Sequence, residues 1–397
     1  MNREDFTILD KGIIHFDNGA TTLKPKCVLE GISSYYNEYT ANAYRGDYDN
    51  SIKVDQIYEK TRQEVANILN GEKNNVVFTS GTTESMNIIV FGFMKNFLKK
   101  DDEIILSKLE HASNLLPWFI LKKIVPFKIK YAPLKKDLTI DYIELEKMIN
   151  QNTKVISLAH ITNTVGDIRN LEILSNLKEK YHLLLVIDAA QSVSHQKIDL
   201  KKLSISFLAF SAHKMYGPTG VGVLYGEKEL LEKTEPLKYG GGMNMSFHSD
   251  STYTLKVSPY KFEGGTPNIE GIFGFYESLK YLNSLDLNLV SSYLNDLREY
   301  AINKLKQIEG LIIYNKDVIS SSVIFNYKNV FSQDLAIYLN KFHINIRSGN
   351  HCAKLLEDEI GLGNTCRITF ALYNTKEEID VLIEALKHPE DIYKDII

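Results

Sequence analysis

The segment Phe210-Ser-Ala-His-Lys-Met-Tyr-Gly-Pro-Thr-Gly220 puts Lys214 just after an apolar run and among turn formers. A lysine at the end of a core strand is partly desolvated, so its amine, with a reference pKa of about 10.4, becomes a usable nucleophile. It could equally be a surface loop lysine. Val186-Ile-Asp-Ala-Ala-Gln191 ends an apolar run on Asp188. A carboxylate there is costly without a cationic partner, such as a protonated pyridine nitrogen; the alternative is a strand-end aspartate capping the next helix. Thr79-Ser-Gly-Thr-Thr-Glu84 joins a strand to a helix. Gly81 permits a tight turn, the Thr82 and Thr83 hydroxyls can donate, and the helix start offers N–H groups, which together suit a phosphate. The same pattern also serves as a helix cap without a ligand.

Two more segments carry reactive groups. His111, after Glu110, could lie flat on an aromatic ring, or be a hydrogen-bonded loop histidine. Arg347-Ser-Gly-Asn-His-Cys-Ala353 sets Cys352 beside His351 and near Arg347. Positive charge lowers a thiol's pKa and raises its thiolate fraction; a buried structural cysteine is the alternative. Cys366 and Cys27 read as unreactive. Histidines and cysteines are otherwise dispersed, and no metal-ligand spacing stands out.

These residues need a frame to hold them. Short apolar runs at Val76–Thr79, Ile104–Leu106, Val155–Leu158, Leu183–Ile187, Ile205–Phe210 and Val221–Tyr225 read as strands, most of them buried on both faces. Amphipathic stretches from about Glu84 to Leu98 and from Leu171 to Tyr181 read as helices between them. That alternation predicts an α/β domain with a mostly parallel sheet. Beyond Gly264-Gly-Thr-Pro-Asn268 a long helical region is expected from about Gly271 to Leu305, broken near Leu285. Strands near 311–314, 322–325 and 367–370 and helices near 334–341 and 376–387 complete a smaller α+β domain. The expected division is 13–270 and 271–397. Residues 1–12 could pack with either part, the small domain being the expected one.

The chain has 397 residues, 44% of them apolar and 24% charged, enough for a large core without staples. Lys plus Arg is 46 against 50 Asp plus Glu, a net charge of -4, which argues against a broadly basic nucleic-acid surface. Three cysteines do not make a disulfide framework and fit a reducing compartment. No stretch reaches the roughly 18 apolar residues of a membrane span. The expected setting is the cytoplasm, away from membranes and nucleic acids.

From Phe16-Asp-Asn-Gly-Ala-Thr-Thr22 to Arg367-Ile-Thr-Phe-Ala-Leu-Tyr-Asn-Thr375, the order and spacing of these motifs resemble the class V, fold-type I pyridoxal phosphate enzymes. Within that family the chain is most similar to the cysteine desulfurases, of the group II type serving SUF iron–sulfur assembly. The resemblance implies that Lys214 holds pyridoxal 5'-phosphate covalently, Asp188 pairs with its ring nitrogen, Gln191 bonds its phenolic oxygen and His111 stacks on the ring and helps with proton transfers. Thr83, Ser211 and His213 would bind the phosphate, with backbone help near Gly81 and Thr82. Thr266 would reach the phosphate of a neighbouring subunit, which implies a homodimer. Asn163 and Arg367 would bind the carboxylate of L-cysteine, with Ala20 and Arg347 lining the pocket. Cys352 would take the sulfur as a persulfide, L-alanine would leave, and a SUF-type acceptor or scaffold would collect the sulfur. A selenocysteine lyase or a carbon–sulfur β-lyase is the alternative on the same scaffold, and a non-catalytic sulfur-relay subunit a third reading. The chain departs from the group II pattern at Tyr44-Arg-Gly-Asp-Tyr-Asp-Asn-Ser51, which lacks two expected histidines, and at Ala112 and Asn350. These departures bear on partner and substrate.

Overall fold

The structure, a computed structural model, describes residues 3–387; the remainder of the expected N-terminal segment (1–2) and small domain (388–397) lies outside the described residues. Seven strands form the main sheet: β1 (Val76–Thr79), β2 (Glu103–Leu106), β3 (Lys128–Tyr131), β4 (Thr153–Ala159), β5 (Leu184–Asp188), β6 (Phe207–Ser211) and β7 (Gly222–Gly226). Their spatial order is β1-β7-β6-β5-β4-β2-β3. All neighbours pair in parallel except those of β7, which is antiparallel to both β1 and β6. The reversal has a local cause. Between Ser211 and Gly222 the chain has only a 3-10 turn at Ala212–Lys214 and a Gly-Pro-Thr-Gly loop. That is too short for a parallel crossover, so β7 must return alongside β6.

The apolar strands are buried on both faces, as their composition requires: β5 is Leu-Leu-Val-Ile-Asp and β7 is buried throughout. One face packs on the helix that starts at Thr82 and runs through a wide turn at Ile88–Met94 to Phe97, with Trp118 and Phe127. The other face shares a continuous core with the Asp49–Leu69 and Ile269–Asn283 helices. The β3 strand escaped the pattern reading because it is an edge strand, Lys-Ile-Lys-Tyr, only partly buried.

A second sheet holds β8 (Leu311–Ile313), β9 (Ser322–Tyr327), β10 (Arg347–Gly349) and β11 (Thr365–Thr369) in the antiparallel order β8-β9-β11-β10. The long helical region divides into Ile269–Asn283 and Leu287–Leu305, the second capped by the Asp286 side chain. The start of the chain is tied to this second unit. Ile14–His15 pairs in parallel with Ile344–Asn345, Asp17 bridges to Thr369, and Arg3 pairs with Glu378 at 2.6 Å. Residues 14–17, expected in the larger domain, thus make their backbone pairings with the smaller one. Among the described residues no helix is long and apolar enough to cross a membrane.

Candidate active site

The C-terminal ends of β4, β5 and β6 lie side by side, with Ala159 opposite Asp188 and Asp188 opposite Ala209. The crevice outside the carboxyl ends of parallel strands is where α/β sheets bind ligands. A cavity of about 270 Å³ opens there. It is lined by Ala20, Thr82, Thr83, His111, Asn163 and Asp188, and further by Gln191, Ser211, His213, Lys214, Arg347, Cys352 and Arg367. Residues spread over most of the chain thus meet in one place.

Lys214 ends the 3-10 turn after β6. That turn is held from two sides: Ala212 N–H donates to Val221 O at 3.0 Å, and His213 O accepts from Thr22 N (3.0 Å) and Lys24 Nζ (3.0 Å). Desolvation lowers the Lys214 amine to about 8; the Asp188 carboxylate opposes the shift and the Arg367 guanidinium adds to it. Asp188 is buried at the end of β5, and its Oδ1 accepts from Ala190 N at 2.9 Å. Burial raises its carboxyl pKa, opposed by that hydrogen bond and by Lys214. It does cap the following turn, yet it also faces the cavity. Gln191 Nε2 donates to Gly19 O at 2.8 Å, drawing the Gly19–Ala20 segment to the cavity wall.

The turn after β1 builds a cradle of donors. Thr82 N–H donates to Ser211 Oγ at 2.8 Å, and the two hydroxyls meet at 2.7 Å. The turn lies against β7 so closely that a Cβ on Gly222 would sit 2.4 Å from Gly81 Cα, which is why glycine is needed there. Gly81 shapes this turn without lining the cavity. His111 lines it, and burial together with Lys214, Arg367 and Arg347 lowers its imidazole to about 4, so it is uncharged at neutral pH. Behind it, buried Glu110 accepts from Ala159 N (2.8 Å) and Asn114 Nδ2 (2.7 Å) and pairs with buried Arg169.

The opposite wall is cationic. Arg367, on β11, is buried; its Nη1 donates to Asn163 O at 2.6 Å and its Nη2 to Asp17 Oδ1 at 3.0 Å. Arg347 Nη1 lies 3.7 Å from Asp17 Oδ2. Two guanidinium groups therefore share one carboxylate. Arg367 Nε is a buried donor with no partner among the described residues, so the wall can take a further carboxylate; Asn163 Oδ1, buried and likewise unpartnered, awaits a donor.

Cys352 sits on the loop after β10, and its side chain is exposed. His351 (φ 53°) and Cys352 (φ 57°) both adopt the left-handed conformation. The loop is pinned through its carbonyls: Asn163 Nδ2 donates to His351 O and Ala112 N–H to Cys352 O, each at 2.7 Å. Asn163, expected only at a substrate carboxylate, therefore also holds the cysteine loop. Cys366 is buried in the core, its thiol pushed up to about 12 by desolvation.

Thr266 is not in this cavity. It is exposed, its Oγ1 accepts from Asn42 Nδ2 at 3.2 Å, and it lines a separate cleft with Glu84 and Lys238. The sequence reading missed Asp17, Ser113 and His351. A short-spaced search around each reactive group overlooks Asp17, which lies 350 residues from Arg367. Ser113 carried no signal of its own, and His351 figured only as a neighbour of Cys352.

The donor set fits a phosphorylated aromatic cofactor with a ring nitrogen and an aldehyde. It comprises a desolvated amine, a buried carboxylate, an uncharged imidazole and hydroxyls at a strand-to-helix turn.

The aminotransferase class-V family profile matches residues 14–382. A probable cysteine desulfurase of Ureaplasma parvum is 40% identical over 380 residues, covering 95% of this chain and 94% of that protein. A cysteine desulfurase of Wigglesworthia glossinidia brevipalpis is 35% identical, covering 97% and 95% respectively. Among solved structures, a cysteine desulfurase from Escherichia coli superposes with a TM-score of 0.92 at 32% identity, covering 99% of this chain and 97% of that one.

Proposed function

Because the chain belongs to the class-V aminotransferase family, we propose that it is a pyridoxal phosphate-dependent cysteine desulfurase, converting L-cysteine to L-alanine with a persulfide on Cys352. The observation that carries this reading is the meeting of Lys214, Asp188, Arg367 and Cys352 around one cavity. The cofactor would be held by Lys214 covalently, by Asp188 at its ring nitrogen, by Gln191 at its phenolic oxygen, by His111 at its ring face, and by Thr83, Ser211, His213 and the backbone near Gly81 and Thr82 at its phosphate. When bound there, it supplies an electron sink for the substrate's α-carbon.

The protein groups then divide the work. Arg367 and Asn163, with Arg347 and Ala20 lining the same cavity, bind and orient the substrate carboxylate. The Lys214 amine, already lowered to about 8, moves the proton at the α-carbon. The Cys352 thiolate attacks the substrate sulfur: the new sulfur–sulfur bond forms, the carbon–sulfur bond breaks, and carbon keeps the electron pair, which a proton then takes to complete L-alanine. Exposure of Cys352 suits delivery of that sulfur to a protein acceptor, and its short loop supports our reading of a group II enzyme of the SUF assembly type. Thr266, exposed and outside its own chain's cavity, suits a homodimer in which it completes the neighbouring phosphate site. The setting we infer is the cytoplasm.

The test is release of L-alanine from L-cysteine by the cofactor-loaded protein with a reductant present. Alanine in excess of enzyme, lost in Cys352→Ala while the cofactor absorbance stays, is the expected result. Pyruvate and ammonia would identify a β-lyase instead. Turnover of selenocysteine alone, surviving Cys352→Ala, would identify a selenocysteine lyase.

A further inference from the structure

Ser113 lies two residues past His111, in the short turn Ala112–Asn114 that the His111 side chain caps. Its backbone N–H donates to His111 Nδ1 at 3.1 Å. A peptide N–H can only donate, so Nδ1 carries the lone pair and the imidazole proton sits on Nε2. Ser113 Oγ stands 3.0 Å from the same Nδ1 and 2.7 Å from Thr83 Oγ1. Ser113 is buried beneath these contacts, while His111 is half-buried and Thr83 is exposed at the cavity. Each hydroxyl has one proton and Nδ1 has one lone pair. When Thr83 donates its proton to a phosphate, Thr83 Oγ1 is left as an acceptor for Ser113, and the backbone N–H alone holds Nδ1.

We propose that Ser113 is a positioning residue that locks His111 in the Nε2–H tautomer and ties its ring to Thr83 of the phosphate cradle. The consequence is specific. An imidazole with Nδ1 already bonded and Nε2 protonated has no lone pair to offer the cavity. His111 therefore contributes its ring face and a donated hydrogen bond and does not act as a base, which leaves the substrate α-proton to Lys214. The uncharged state of His111 agrees with this. The link to Thr83 rests on the reading that Thr83 faces the cofactor phosphate; the tautomer does not.

The test uses protein labelled with 15N-histidine, with and without pyridoxal phosphate, the His111 signals being assigned by their loss in His111→Gln. The expected spectrum shows a protonated Nε2 and an unprotonated Nδ1 across the neutral pH range, and the same tautomer in Ser113→Ala, which keeps the backbone N–H. Ser113→Ala should weaken pyridoxal phosphate binding about fivefold, the value of one hydroxyl hydrogen bond. Combined with Thr83→Val it should add nothing beyond Thr83→Val alone, because the two act through one contact. A protonated Nδ1 in His111 would overturn the tautomer lock, and additive losses in the double variant would overturn the link. A protein that binds no pyridoxal phosphate would overturn the functional reading and the link with it, while the imidazole spectrum would still decide the tautomer.

Discussion

The two walls of the cavity are built differently. The Lys214–Asp188 wall is made of strand ends. Asp188 is the last residue of β5, Lys214 follows β6 by three residues, and both strands are paired in register with neighbours on each side. The Cys352 wall is a short loop in which two consecutive non-glycine residues adopt the left-handed conformation, a state costing of order 1 kcal/mol or more per residue. That loop is held through two carbonyls, by Asn163 Nδ2 and Ala112 N–H. The difference matches the tasks. In the proposed reaction, the groups that hold the cofactor gain from a position set by the sheet. The proposed sulfur acceptor, Cys352, which would meet a substrate sulfur and then pass it on, is exposed and sits on strained backbone.

That contrast can be broken on the sheet side first. Asp188→Asn keeps the shape of the strand end and removes its buried charge. Alanine formation should fall about 100-fold or more with the fold retained, because in the proposed site this charge pairs with the cofactor's ring nitrogen away from water. An activity within a few-fold of the parent would show that the charge of Asp188 is not needed. The loop side should be softer. Asn163→Ala removes the bond to His351 O and should slow persulfide formation on Cys352 by about tenfold, read by alkylation of the Cys352 persulfide after a single turnover. An unchanged rate would mean that the Ala112–Cys352 bond suffices to hold the loop.

The smallest effect sharpens the electrostatics of the sheet side. In the folded protein the Lys214 amine is lowered to about 8 from its ordinary 10.5. Between those values the unfolded chain binds more protons, so stability rises with pH through that window, and the penalty is full below it. In cofactor-free protein, Lys214→Met should therefore raise the melting temperature at neutral pH by about 2 °C or more. The gain should shrink as the pH climbs through the window. A gain independent of pH would mean that packing, and not charge burial, separates the two proteins.

Much of this molecule is visible in its linear order. The apolar runs of β4, β5 and β6 are so continuous that they belong in a two-sided sheet, and each ends on a residue that meets the cavity or leads into it. The helix expected over Leu171–Tyr181, as the connection between two buried strands, is found over that span. Local spacing failed where polarity alternates at an edge, as in β3, and where a partner is remote. Asp17 is the clearest case: it is unremarkable in its own segment, and only the pairing of the N-terminal strand with Ile344–Asn345 and its bridge to Thr369 carry it to Arg367.

What the sequence by itself determined is the set of reactive types and the elements that end on them: an amine after a core strand, a carboxylate at a strand end, a turn that suits a phosphate, and a thiol among polar neighbours. Each is a local matter of burial, periodicity and turn chemistry. Only the tertiary structure decided which of them share a cavity, that a backbone N–H meets His111 Nδ1, and that Asn163 holds the cysteine loop. Those outcomes depend on hydrogen bonds between residues tens to hundreds of positions apart, or on the exact turn a backbone N–H takes. Neither is encoded in any window of neighbouring residues.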